Sequence, residues 1–413
     1  MSISINRIYS MFRLLLLVTI LYLFLYNPIF LALGIGCIKP LLAIAVIYAF
    51  INNRVFKLLV QFKYEAIFTF IIIIYTLFTI LRSNNLGVLL LPYQHFIWFL
   101  ESIFLSVVIV IWFRKEFEQH GWEKLVVITG FIASLISLVL ILNPGWNEFV
   151  RTSLISDSLV EDYKSWFRGF GIAEGLSGSY GVIQGIIVGI SLYTMRCHVL
   201  YVVPVLPLLI SIAFNARTGF VAVIYSFMLL IAQRRYNRRL VATVLVISLI
   251  IGYVLNSEVE YIHYDINTIK WAMSSFDQTG DFLSGSSDGK TVFDTLFGEY
   301  FFYPDSAMGL LLGDVIIPFH DAKHSDVGYI NEVMFGGIVY LLLLLSFLAY
   351  MHIRLSKKST DKFYPIFFLV VLLIFNIKTT CLFIPNGVFR LFVLYYVLII
   401  TSSRLWPIKC PSN

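Results

Sequence analysis

The sequence predicts an all-α integral membrane protein, a single polytopic domain over residues 1–413, and three observations carry that reading. Hydrophobic residues make up 59% of the chain and charged residues only 13%, against roughly 45–50% and about 25% in soluble domains. So few charges cannot cover a water-soluble globule of this size. About twelve separate apolar runs approach the ~17–25 residues that a helix needs to cross a ~30 Å hydrocarbon core. The segments between them alternate between short basic stretches and longer or nearly uncharged ones. The 4 Cys show no metal-binding spacing, and only Cys37 and Cys381 fall on the same, outer side, where a disulfide is not the expected outcome.

The runs fall at 11–30, 35–51, 65–81, 95–113, 125–142, 179–195, 200–214, 218–232, 240–255, 327–352, 363–377 and 388–401. The first follows Arg7 and Arg13 and lacks a small-residue cleavage site, so it reads as a retained helix, broken at Asn27-Pro28. With the N-terminus in the cytoplasm, alternation gathers most of the 30 Lys and Arg residues on short inner segments. These include Arg54, Lys57 and Lys63; Arg114, Lys115 and Lys124; Arg234, Arg235, Arg238 and Arg239; and Arg354, Lys357, Lys358 and Lys362. That asymmetry is the positive-inside pattern, and about twelve spans put both termini inside. Two outer loops are long, at approximately 143–178 and 256–326. The second holds twelve carboxylates against three lysines, together with apolar stretches. It is expected to fold along the membrane surface, and its acidity argues against a nucleic-acid partner.

The chain has no phosphate-binding glycine loop, dinucleotide fingerprint, zinc spacing or nucleophile elbow. What remains is a small set of polar groups where polar groups are costly. Arg217, in Asn215-Ala216-Arg217-Thr218-Gly219-Phe220, occupies a very short outer turn between two apolar runs. It either snorkels to the interface or grips a phosphate, whose oxygens its fork matches. Arg168, in Trp166-Phe167-Arg168-Gly169-Phe170-Gly171, is either an ordinary loop residue paired with Glu174 or a second cation at the same outer mouth. His324, Asp326, Tyr329 and Glu332 load the entrance of a late helix with groups able to move protons. Ser325 or Asp326 suits its N-cap, and Asp326, Tyr329 and Glu332 share roughly one face. Glu332 lies inside the apolar run and calls for a cation, which Arg217 or Arg390 would supply. His324 beside a carboxylate suits a general base. Lys378 and Arg390 flank the last outer turn, where basic residues commonly snorkel. Glu101 is a further carboxylate within a span, without an assigned task. Tyr93, His95 and Trp98 read as an interfacial aromatic belt.

These stretches carry a resemblance. FRGFG followed by Glu174 is similar to the Arg-x-x-Gly stretch before a middle helix in the superfamily of O-antigen polymerases (Wzy-type) and O-antigen ligases. NARTGF resembles its short Arg-Thr/Ser-Gly outer turn. HSDVGYINEVMFGG resembles the polymerases' Ser-Asp-x-Gly-Tyr entrance to a late helix, and also the ligases' His-led motif ending in Gly. Ligases tend to carry Asn and a hydrophobic residue after the histidine, so Ser325-Asp326-Val327-Gly328-Tyr329 favours polymerase.

The resemblance implies a GT-C-type glycosyltransferase of the bacterial inner membrane. Such an enzyme joins undecaprenyl-diphosphate-linked repeat units into a surface polysaccharide on the periplasmic face, with inversion and with neither nucleotide sugar, metal nor other cofactor. It implies a separate chain-length-regulating co-polymerase as a partner. On this reading Arg168 and Arg217 hold the diphosphate, Tyr329, Glu332 and Arg390 contact substrate, and His324 or Asp326 is the base. The alternatives are an O-antigen ligase, or a lipid-linked oligosaccharide flippase. The flippase would more naturally show internal repeats, and none is evident.

Overall fold

The computed structural model describes residues 5–83, 91–155, 171–173, 178–195, 198–216, 218–233, 301–316, 325, 327–378, 381–382 and 386–401. Every regular element among them is helical. The described helices are α1 (Ile5–Tyr26), α2 (Ile38–Ile51), α3 (Arg54–Ser83, with a 3-10 turn at Val60–Phe62), α4 (Gln94–Trp112, with a π turn at Leu100–Phe104) and α5 (Arg114–His120). They continue as α6 (Trp122–Leu142), α7 (Pro144–Phe149), α8 (Gly178–Thr194), α9 (Val205–Asn215) and α10 (Gly219–Ala232). The last four are α11 (Ala307–Leu312), α12 (Gly328–Lys358), α13 (Phe363–Phe375) and α14 (Gly387–Thr401). By length and apolarity α1, α3, α4, α6 and α12 can each cross a membrane, and shorter apolar helices accompany them. The expected run at 240–255 lies outside the described residues, as does most of the loop 256–326.

The first long loop is not structureless. Asn143 caps α7 by accepting from Trp146 N–H at 3.1 Å, and a π turn follows at Val150–Leu154. Val150 and Ile155 pack with Leu140 of α6 and with Ile172. The seventh run also starts differently from expectation: a 3-10 turn occupies Val199–Val202, and α9 begins after Pro204, where the ring cannot donate to a preceding turn.

The described contacts fall at two ends of the bundle, one near the basic loops and one near the long loops. At the end that carries the basic loops, two buried carboxylates are paired with arginines, while the buried Glu123 has the Tyr364 hydroxyl 3.5 Å away. Arg13 Nε donates to Glu116 Oε1 at 2.5 Å and Nη2 to Trp112 O at 2.6 Å, tying α1 to the start of α5. Burial pushes the Glu116 carboxyl up, yet the hydrogen bonds and charge of Arg13 outweigh it and hold the group below its ordinary value. Glu65 of α3, fully buried, accepts from Arg354 of α12 and from the Tyr396 hydroxyl of α14. Arg354 also donates to Gln61 O at 2.7 Å and lies over the Phe62 ring. Three helices are thus pinned at one carboxylate.

The other end is held by close backbone packing. Gly181, Gly185 and Gly189 recur every four residues along one face of α8. A Cβ on Gly181 would sit 2.1 Å from Ala216 O, and one on Gly185 2.1 Å from Gly219 O. Small residues at this spacing let two helices approach where lipid offers no hydrophobic drive. The contact fixes the chain on either side of position 217 against α8.

Helix α12 is broken. Gly337 has φ 71° and ψ −177° inside it, which frees carbonyls at membrane depth, where each needs an internal partner. They find one in the segment after α11: Asp314 N–H donates to Met334 O at 2.9 Å and Val315 N–H to Phe335 O at 3.0 Å. Tyr75 of α3 donates to Gly336 O at 2.7 Å, and Arg82 donates to Gly313 O. A Cβ on Gly337 would meet Leu311 O at 2.2 Å, and one on Gly313 would meet Phe335 O at 2.2 Å. The stretch from Ile338 to Lys358 then measures about 31 Å as a helix, the thickness of a bilayer core. The expected run 327–352 therefore splits into a short segment at the loop end and a spanning one.

Candidate functional site at the loop end of the bundle

Four chain segments meet at the first turns of α8. Gly171 is in the left-handed region at φ 67°, and a Cβ there would lie 3.7 Å from both the Tyr180 hydroxyl and Ala133 O. Ala216 and Gly219 press on Gly181. The start of α14 packs there too, because a Cβ on Gly387 would meet Leu25 O at 2.2 Å and Ile183 Cδ1 at 2.3 Å. Tyr22 and Tyr26 close the group from α1. Tyr22 donates to Ile172 O at 2.9 Å, and the Tyr26 hydroxyl accepts from Gln184 Nε2 at 3.1 Å.

The lining is polar and mostly uncharged. The Tyr180 hydroxyl donates to Ala133 O at 3.1 Å and lies 3.3 Å from Ser211 Oγ. Asn215 Nδ2 donates to Ser137 Oγ at 2.7 Å. Gln184 Oε1, Asn215 Oδ1 and Thr218 Oγ1 are buried without a hydrogen-bond partner among the described residues. The cation that accompanies them is Arg390, only 2% exposed, with Nη2 donating to Leu25 O at 3.4 Å. Snorkelling, the ordinary expectation for Arg390, is therefore corrected: the first turn of α14 is packed between α1 and α8 and aims the guanidinium into protein.

The entrance of α12 is organised by Asn331. Its Oδ1 accepts from Ser325 N–H at 3.0 Å, its Nδ2 donates to Ser325 O, and Ser325 Oγ accepts from Val327 N–H at 2.9 Å. The N-cap is Val327, with no side-chain cap. The expected cap at Ser325 or Asp326 is displaced because Asn331 folds the backbone back two residues earlier. Tyr329 donates to Leu373 O at 2.7 Å, and Glu332 Oε2 accepts from Asn376 Nδ2 at 3.0 Å. Both residues face α13. Among the described residues Glu332 is met by this amide and not by Arg390, Arg217 lying outside them, and Glu332 Oε1 has no partner there. Asn376 Oδ1 accepts from Cys381 N–H at 2.8 Å. Cys37 and Cys381 are both free, and burial pushes the Cys381 thiol up. Helix α13 links the two halves of the site: Asn376 holds Glu332, and Lys378 lines a groove together with Thr218.

Of the expected site residues, Tyr329, Glu332 and Arg390 are described as above. Arg168, Arg217, His324 and Asp326 lie outside the described residues. Gly171, Ala216, Thr218, Ser325 and Val327, close to them in sequence, all belong to this end. His95 is not part of an interfacial belt: it is buried on α4, 3.4 Å from the Tyr340 hydroxyl and edge-on to Trp98. Glu101 sits buried in the π turn of α4, a local geometry frequent at functional sites. Asn331, Asn376 and the buried Arg151, whose Nε donates to Asn147 Oδ1 at 3.1 Å, escaped the sequence reading. The four-residue glycine spacing of α8 was visible there and would have located the meeting point. Among the described residues no group of three or more His, Cys, Asp or Glu could hold a metal ion.

No family model, characterised protein or solved structure matches the chain.

Proposed function

We propose that this protein is a membrane glycosyltransferase of the polysaccharide-polymerase kind. It would join undecaprenyl-diphosphate-linked repeat units at the loop end of a bundle of about twelve spans, a GT-C-type architecture with both termini cytoplasmic and that end periplasmic. The observation that supports this most is the gathering, against the first turns of α8, of the buried Arg390 with the close neighbours of Arg168 and Arg217. A lipid diphosphate leaves with several negative charges, and cations fixed where that charge develops lower the barrier. The acceptor sugar hydroxyl gives its proton to His324 or Asp326 and forms the new C–O bond at the anomeric carbon. The bond to the diphosphate breaks with inversion, and the lipid diphosphate departs toward the arginines. Tyr329 and Glu332 lie on the same helix entrance and would orient the glycan.

The test is purified protein with a lipid-diphosphate repeat unit, without nucleotide. A ladder of longer lipid-linked glycans is expected. Transfer only to lipid A core would indicate ligation, and translocation without new bonds a flippase. Arg217→Ala is expected to abolish elongation while the protein still inserts normally; an unimpaired ladder would remove Arg217 from the mechanism.

A further inference from the structure

The segment that leads into and through α11 has two faces. Phe302 packs inward, with Ile316, on Val327, Ile330 and Met334 at the entrance of α12. Phe301 and Tyr303, on either side of Phe302, are exposed, as are Met308 (57%) and Leu311 (50%) on the outer side of α11. Apolar side chains exposed together on one short segment mark a contact surface.

Two observations say what covers it. The first is depth. Leu311 O lies at Gly337, and the helix from Ile338 to Lys358, which is exposed at the basic end, measures about 31 Å, one hydrocarbon thickness. Helix α11 therefore stands where the far side of the core meets the headgroups. The second is continuity. Ile74, Phe78 and Leu81 are exposed at helical spacing along α3, a helix apolar and long enough to span. That row ends beside Arg82, whose guanidinium donates to Gly313 O, one residue past α11. Met308 and Leu311 extend the apolar surface from there.

We propose that residues 301–312 are a lipid-docking element, with Met308 and Leu311 against the acyl chains of the leaflet at the loop end. Tyr303 lies at headgroup level, where amphipathic rings are favoured. The expectation of a loop along the membrane thereby gains a contact segment and a depth. The break at Gly337 ends the spanning part of α12 at the level where α11 enters, so the loop meets the leaflet and the bundle at one point. The assignment holds whether or not the protein is a glycosyltransferase.

The test takes the full-length wild type in phosphatidylcholine nanodiscs that carry a photoactivatable diazirine on an acyl chain, with labelled residues located by mass spectrometry. Label at Met308 and Leu311 is expected, together with label at Phe78 and Leu81 of α3. Label on α3 with none in 301–312 overturns the proposal. Chloramine-T, an anionic oxidant that stays in water, probes the same surface from the other side. A methionine as open as Met308 reacts at nearly the rate of an unfolded chain if water covers it. An apolar face set into the boundary of headgroups and acyl chains should instead slow its oxidation roughly tenfold. A rate close to that of the SDS-denatured chain overturns the proposal. Slow oxidation without lipid label would mean that protein covers the segment, and that result overturns it too.

Discussion

The two ends of the bundle stabilise their carboxylates differently. At the basic end Glu65 meets Arg354 and the Tyr396 hydroxyl and Glu116 meets Arg13, while the buried Glu123 has the Tyr364 hydroxyl 3.5 Å away. At the loop end Glu332 accepts from an amide, and Gln184 Oε1, Asn215 Oδ1 and Thr218 Oγ1 near α8 have no hydrogen-bond partner among the described residues. Unmet polarity in an apolar bundle is costly. The arginine–carboxylate staples thus belong to the basic end, whereas the loop end gathers neutral hydrogen-bonding groups.

Four measurements break or sharpen that contrast. The largest effect is expected from Arg354→Met, which leaves Glu65 buried without its cation and should cost about 3–5 kcal/mol. Thermal unfolding in detergent checks it, and a change of less than a degree would mean that the staple at the basic end does not bear on stability. Next comes Gly337→Ala, where a side chain is forced into the left-handed region against Leu311 O. Roughly 1–3 kcal/mol is expected, with faster proteolysis near residue 313. Glu332→Gln should separate the two ends most clearly: removing a buried charge that has no cation among the described residues leaves the melting temperature unchanged or raises it, while glycan elongation falls at least tenfold, about 1.4 kcal/mol of barrier. A parallel fall in stability would place Glu332 with the cohesive charges. The smallest effect concerns Glu116. Its carboxyl is held below the ordinary 4.5 by Arg13, so the pair's contribution is complete above that value and is lost as the pH falls beneath it toward the depressed folded value. Between pH 5 and 3 the wild type should lose more stability than Arg13→Met, and equal losses would show that the pair is not coupled.

The architecture was legible where it depended on composition. The apolar runs at 95–113, 125–142, 179–195 and 363–377 coincide with α4, α6, α8 and α13 to within a few residues, and the run at 65–81 forms the later part of α3, because a bilayer-length apolar stretch has few alternatives to a helix. What could not be read was tertiary. Nothing in the pattern around Gly336-Gly337 distinguishes a flexible pair from a helix break, since the partner carbonyl and N–H groups come from residues 311–315. Arg390 looked like a snorkelling residue because its burial depends on where α14 docks against α1 and α8. The cation expected beside Glu332 was inferred from charge alone, and among the described residues an amide at the end of the next helix stands there instead.

The junction between Gly313 and Gly337 joins backbone to backbone through the N–H groups of Asp314 and Val315, and the side chains of Tyr75 and Arg82 reinforce it from α3. Its close approach depends on two positions staying free of any Cβ, so either glycine could be lost only together with the docking of residues 311–315 on the break.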